Sequence, residues 1–229
     1  MTETQKTEKR NQLAEEIMRL SRNILLINLR FLDMALSQLQ WHSCEEITLA
    51  TNSKELFYCP AHILKRYCQA KEAPVRDYLH VILHCVFRHM FVYPEIDRVL
   101  WDIACDVAVE NIITELRLKS TESRLEAQQT MLLSKWNVKP VTAEKVYNYL
   151  KDHQMPQEEL EQLQTLFGAD NHDVWYMPSG KAQSKSDNDE QKRFPESDSR
   201  ENPDSENSDS DQRQNSRENG NQSYADTPM

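Results

Sequence analysis

The sequence predicts a mainly α (α+β) domain with one small β-hairpin, followed by a disordered polar tail. Three observations carry this. Apolar residues recur at three- and four-residue steps through most of the first two-thirds of the chain. Residues 46–58 instead hold two short β-prone pieces around a polar turn. The chain has only three glycines, which suits helices and excludes glycine-rich phosphate loops.

Residues 8–40 read as one long amphipathic helix. Leu13, Ile17, Leu20, Ile24, Phe31, Ala35 and Leu39 fall mostly on one face. Glu15, Glu16, Arg19, Arg22 and Arg30 can take the other, while Leu25, Leu26, Ile27 and Leu29 widen the apolar stripe. The hairpin follows, with Asn52-Ser53-Lys54 as its turn. Pro60 starts a short helix carrying Ile63, Leu64 and Tyr67. Pro74 opens the next in its first turn, where a missing N–H costs little.

That helix is predicted over 75–91, ended by Pro94, and a second strongly apolar helix over 97–118. The two form the expected heart of the core. Residues 121–134, 142–152 and 156–167 read as shorter helices, punctuated by Pro140 and Pro156. After Pro178 the composition collapses to Ser, Asp, Glu, Asn, Gln, Arg and Lys. Such a segment cannot bury enough surface to offset its ordering entropy. The expected organisation is a folded domain over 1–178 and a disordered tail over 179–229.

Composition narrows function by exclusion. A net charge of −10 argues against nonspecific binding to nucleic acid or anionic membrane. No stretch is long and apolar enough to span a bilayer, and the N-terminus lacks an apolar signal core. The expected location is cytoplasmic. Cys44, Cys59, Cys68, Cys85 and Cys105 form no Cys-x-x-Cys pair and are odd in number, as expected of reduced thiols.

The chemistry centres on His80-Val81-Ile82-Leu83-His84. Two histidines four apart on a helix project from nearly one face and can converge on one zinc ion. His89 lies five residues further, roughly 140° around the helix, and is expected to be a hydrogen-bonding group unless the helix ends early. A third ligand must come from elsewhere. The next helix offers Asp102, Asp106 and Glu110, a stripe at four-residue spacing in an apolar setting. Acids facing the core would need a cation or donors, whereas on the outer face they would be ordinary solvated charges.

These residues resemble a family. Residues 48–111 are similar to the metallopeptidase domain that often precedes a von Willebrand factor A-like domain in bacterial proteins, and the resemblance extends over most of 10–178. Its first element ends in an aromatic pair, asparagine and proline, here Phe57-Tyr58-Cys59-Pro60. Its second is His-Glu-x-x-His with a later histidine, here His80 to His84 and then His89. Its third is matched by Trp101-Asp102-Ile103-Ala104-Cys105-Asp106-Val107-Ala108-Val109-Glu110. Asp170-Asn171-His172-Asp173-Val174-Trp175 looks like its Asp-x-His-x-x-Trp element.

The resemblance implies a zincin-like fold, zinc as cofactor, and His80, His84 and Asp106 as its ligands. His172 would be an accessory polar group near the site or a surface-loop histidine. The implied partners are a peptide or protein substrate and a von Willebrand factor A-like protein; the chain ends inside what looks like the linker between the two domains, so it is expected either to act with a separately encoded partner or to be a truncated form.

The departures matter as much. Val81 stands where the family has the glutamate that would be the general base, Cys59 replaces asparagine, and Glu110 stands where asparagine is expected. Asp77, three residues before His80, and Glu110 are the remaining candidates for a base. The expected function is a zinc-metallopeptidase-like domain with impaired catalysis, in which Val81→Glu would restore the missing carboxylate. The alternative is a non-enzymatic interaction module. Leu56-Phe57-Tyr58 is either an edge strand that could add a peptide or a structural hairpin packed on the core. Trp101, Trp136 and Trp175 are expected as packing anchors, and Cys85 as a core residue.

Overall fold

The computed structural model describes residues 2–91 and 95–177. Among them are eight α-helices and a three-stranded sheet: α1 (Glu3–Asn28), α2 (Asp33–Gln38), β1 (Gln40–Ser43), β2 (Leu49–Thr51), β3 (Glu55–Tyr58), α3 (Pro60–Gln69), α4 (Ala73–Phe87), α5 (Arg98–Leu116), α6 (Glu126–Trp136), α7 (Ala143–Asp152) and α8 (Gln157–Phe167). The expected tail from residue 179, the domain boundary before it, and Pro94 lie outside the described residues. No described helix is long and apolar enough to cross a membrane.

Helix α1 opens on a capping box: Thr2 Oγ1 accepts from Gln5 N–H, and Gln5 Oε1 accepts from Thr2 N–H. It buries Ala14, Met18, Ser21 and Leu25, a stripe at four- and three-residue steps. The single helix expected over 8–40 is not formed. The chain leaves the helix at Leu29, makes a 3₁₀ turn over Arg30–Leu32, and re-enters as α2 and then β1. Leu29, Leu32, Leu36 and Leu39 are all buried. Their spacing mimics a continuing helix, but the chain bends to keep them on the core.

Strand β1 is the element sequence reading missed. It runs parallel to β3, and β2 runs antiparallel to β3, so the order is β1-β3-β2. The β2–β3 hairpin turns on Asn52, whose Oδ1 accepts the N–H groups of Lys54 and Glu55, and on Ser53 at φ 74°. Because β3 is central, Leu56-Phe57-Tyr58 is no edge. Its backbone is committed on both sides, which corrects the strand-addition reading at that segment.

Helix α4 is the buried axis, with every residue from Ala73 to His84 out of solvent. It stops at Phe87, four residues short of the expected end. Arg88 turns left-handed at φ 60° and its N–H caps onto Cys85 O and His84 O. Helix α5, capped by Asp97 Oδ1 on Leu100 N–H, packs beside it. Val109 and Ile113 of α5 join the apolar cluster shared by α1, the sheet, α3 and α4. Ile103, Ala104 and Val107 join a second cluster with α6, α7 and α8. All five cysteines are free thiols, and Cys85 lies half-buried against the first cluster.

This two-sided role makes α5 sensitive to truncation. Ile103→Ala, at a fully buried position, is expected to lower unfolding stability by about 2–5 kcal/mol. Val99→Ala on the same helix, 46% exposed, should stay within about 0.5 kcal/mol. Urea unfolding of the two variants measures the contrast.

Candidate metal centre

The packing of α4 on α5 brings the turn-spaced histidines onto the acidic stripe. His80 Nε2 and His84 Nε2 point together, 2.9 Å apart. Asp106 Oδ1 lies 3.1 Å from His80 Nε2 and 3.3 Å from His84 Nε2. A fourth group enters from the loop after α8: Asp170 Oδ1 is 3.4 Å from His80 Nε2 and 3.8 Å from His84 Nε2. One donor atom from each of His80, His84, Asp106 and Asp170 lies within 4.8 Å of the others, a set that could hold a metal ion.

The loop is held in place by its backbone. Gly168 follows α8 directly, and a Cβ there would meet Gln164 O at 2.6 Å and Asp106 Oδ2 at 3.5 Å. The carbonyl of Gln164 demands glycine at this exit from α8, while the distance to Asp106 is an ordinary contact. Asn171 N–H then donates to Leu49 O on the outer edge of β2. The Asp170 side chain is fully buried, and its Oδ2 has no hydrogen-bond partner. A buried carboxylate oxygen without a donor fits a site built for a cation.

Behind the donors stands a supporting shell. Glu110 Oε1 is 2.8 Å from His80 Nδ1. With that nitrogen donating to Glu110, the Nε2 lone pair faces the cluster, the arrangement typical of metal-ligating histidines. Glu110 is itself fixed by Arg76 Nε at 2.8 Å and by Gln129 Nε2. Arg76 also donates to Thr121 O and Glu126, tying the site to the start of α6. His84 Nδ1 meets His89 Nδ1 at 3.0 Å, and His89 O accepts from Trp101 Nε1. His172 Nε2 lies 3.0 Å from Asp170 and 3.3 Å from Asp106, with its Nδ1 3.5 Å from Asp102. Tyr176 donates to Asp102, while Trp175 stacks on His172 at 3.7 Å and reaches the His84 ring. The His172–Trp175 pair roofs the cluster.

The charges are strongly coupled. Burial alone would lower the His80 pKa, but its hydrogen bonds to the carboxylates of Asp106, Asp170 and Glu110 outweigh it and hold it well above the usual value. His172 behaves alike: burial is overcome by the Asp170 and Asp106 charges. His84 is lowered, chiefly by burial. His89 falls to about 3, chiefly through burial, and protonation of the neighbouring His84 and His172 lowers it further. Burial would raise Asp106 and Asp170, but the neighbouring histidines hold both below the ordinary carboxylate range. Two buried carboxylates therefore need cationic company here, from imidazolium groups or from a metal ion.

Of the residues singled out from sequence, His80, His84 and Asp106 come together, and the acids of the α5 stripe take different roles, with Asp102 and Asp106 both reaching His172. Asp102 serves His172, Asp106 the two Nε2 atoms, and Glu110 the far nitrogen of His80. Neither candidate base is placed to act as one. Glu110 is on the side of His80 away from the cluster. Asp77 is bound by Arg66, with Nε to Oδ2 at 2.7 Å and Nη2 to Oδ1 at 2.5 Å. His172 is buried at the site rather than on a surface loop. His89 folds back because α4 ends early, yet it stands outside the four-donor set. Asp170 was missed. The signal was its place at the head of Asp-x-His-x-x-Trp, where sequence reading took the histidine instead. Val81 is fully buried within the apolar cluster of α1, the sheet and α3.

No family model, curated protein or solved structure matches this chain.

The geometry predicts which acids matter. If the set holds a metal ion, Asp106→Asn and Asp170→Asn should each weaken its binding by at least about a hundredfold, beyond the usual effect of an outer-shell change. Asp102→Asn, outside the donor set, should cost less, within the about 10–100-fold of an outer-shell change. Isothermal titration calorimetry of the three variants distinguishes this from a three-ligand site indifferent to Asp170.

Proposed function

We propose that this chain is a zinc-binding, metallopeptidase-like domain in which the ion joins α4, α5 and the 168–172 loop, and in which peptide hydrolysis is lost. The observation that carries this reading is the closed donor set. The side chains of His80, His84 and Asp170 have no solvent exposure, and Asp106 retains 7%. Two imidazoles and two carboxylates suit zinc, and four protein donors are characteristic of structural sites, whereas catalytic sites keep a position open. A bound zinc ion supplies positive charge and Lewis acidity. The residues around it hold and orient, and no carboxylate is poised to take a proton from a nucleophile. The Val81 position is part of the apolar core, and Asp77 and Glu110 are engaged elsewhere. On the motif resemblance alone, the reading retains a von Willebrand factor A-like protein as the partner class.

Metal analysis of protein purified without added zinc should find one ion per chain. Removal by a chelator should lower the melting temperature, and zinc at a hundred times its Kd should restore about 2.7 kcal/mol of stability. Substoichiometric metal together with an unchanged melting temperature would sink the reading.

Catalysis is tested separately. Zinc-loaded wild type should show negligible cleavage of unfolded protein, since a positioned base typically contributes about 10²–10⁴-fold. Val81→Glu, expected from sequence to restore a carboxylate, should instead destabilise the fold by at least about 2–7 kcal/mol, the cost of an unpaired neutral polar group among apolar side chains, since the carboxyl would have to be buried protonated or at a still higher cost. Wild-type cleavage that disappears in His84→Ala would refute the loss of activity.

A further inference from the structure

The first helix carries a second apolar stripe that the fold uses only along one edge. Leu13, Leu20 and Ile27 are 43, 50 and 73% exposed and recur at seven-residue spacing. Ile17 and Ile24, half-buried at the edge of the core, fall between them. Together they alternate in four- and three-residue steps, the a/d pattern of a helix–helix seam. Phe31, 76% exposed just past the helix end, continues the spacing. An amphipathic helix on a globular domain needs one apolar face, and Ala14, Met18, Ser21 and Leu25 already supply it.

We propose that α1 pairs with α1 of a second copy of this chain in an antiparallel helix–helix interface. The seam is complementary to its own reverse. With the two-fold axis beside residue 22, Leu20 of one copy meets Ile24 of the other, Ile17 meets Ile27, and Leu13 meets Phe31. A two-fold interface requires such self-complementarity. The exposed polar flank follows the same symmetry: Glu16 of each copy faces Arg30 of the other, and Asn23 faces Asn23 across the axis. Both charged residues are exposed and make no ion pair within the described chain. A parallel pairing would oppose Glu16 to Ser21, which is buried in its own core and offers no positive charge. The chain's own C-terminal segment is a poor occupant, because residues 178–229 contain no leucine, isoleucine or valine.

Sedimentation velocity of the full chain over a concentration series, at physiological ionic strength, tests the interface. The wild type should dimerise. Leu20→Glu, at a half-exposed position that the fold tolerates, should raise the dimer dissociation constant by at least about a hundredfold while the circular dichroism stays native. Glu16→Arg should weaken the dimer about tenfold, as two ion pairs become two repulsions, and adding Arg30→Glu should restore it. A wild type that is monomeric at every concentration overturns the proposal, whatever else then covers the stripe. A dimer indifferent to Leu20→Glu does the same, and failure of the double charge reversal to recover rejects the antiparallel register.

Discussion

Two helices that are apolar along most of their length share an interface containing ionisable groups. His80, His84 and Arg76 from α4 meet Asp106 and Glu110 from α5, all at most a few per cent exposed. An unpaired charge at such depth would cost several kcal/mol, so each group needs its partner in place. This requirement fixes the rotation of α5 about its axis and its axial register against α4. The remaining structure meets the same demand. Glycine at 168 lets the loop approach, β2 anchors it through Asn171, and His172 with Trp175 closes the roof.

The same constraint separates holding from catalysing. The carboxylates and histidines that face one another here are already engaged by neighbours on several sides. Glu110 is gripped by His80, Arg76 and Gln129, a role for a group that orients a ligand rather than one that moves protons. The position after the first histidine, where a peptidase needs a carboxylate, lies on the side of α4 that meets α1 and the sheet. Valine there strengthens the core, and a residue cannot serve both the core and a nucleophile. In the proposed reading, the lack of a base and the closure of the site are consistent with one another. A closed four-donor site favours integrity over exchange of substrate.

Much of the fold was legible in local pattern. The two central helices, the hairpin with its Asn52 turn, and the three later helices follow from apolar spacing and proline placement, each within a few residues. Two errors share one cause. Leu29, Leu32, Leu36 and Leu39 continue a helical rhythm through a 3₁₀ turn, a short helix and the approach to a strand, because all must reach the same core. Periodicity records which side chains are buried but not the path of the backbone between them. Likewise, nothing in the local sequence required α4 to stop at Phe87. Arg88 adopts a left-handed conformation uncommon for its type, with its N–H bonded back to Cys85 O and His84 O.

Sequence by itself determined that His80 and His84 share one helical face and that Asp102, Asp106 and Glu110 share another. Both statements depend only on the helical repeat. Which acid meets which nitrogen was decided by tertiary structure, since it depends on how α4 and α5 are turned toward each other by the two apolar clusters. Asp170 shows the limit most clearly. It lies 64 positions after Asp106 in a loop without periodicity, and its entry into the site depends on α8, Gly168 and the edge of β2. Short-range repeats encode faces, and only long-range packing selects the faces that meet.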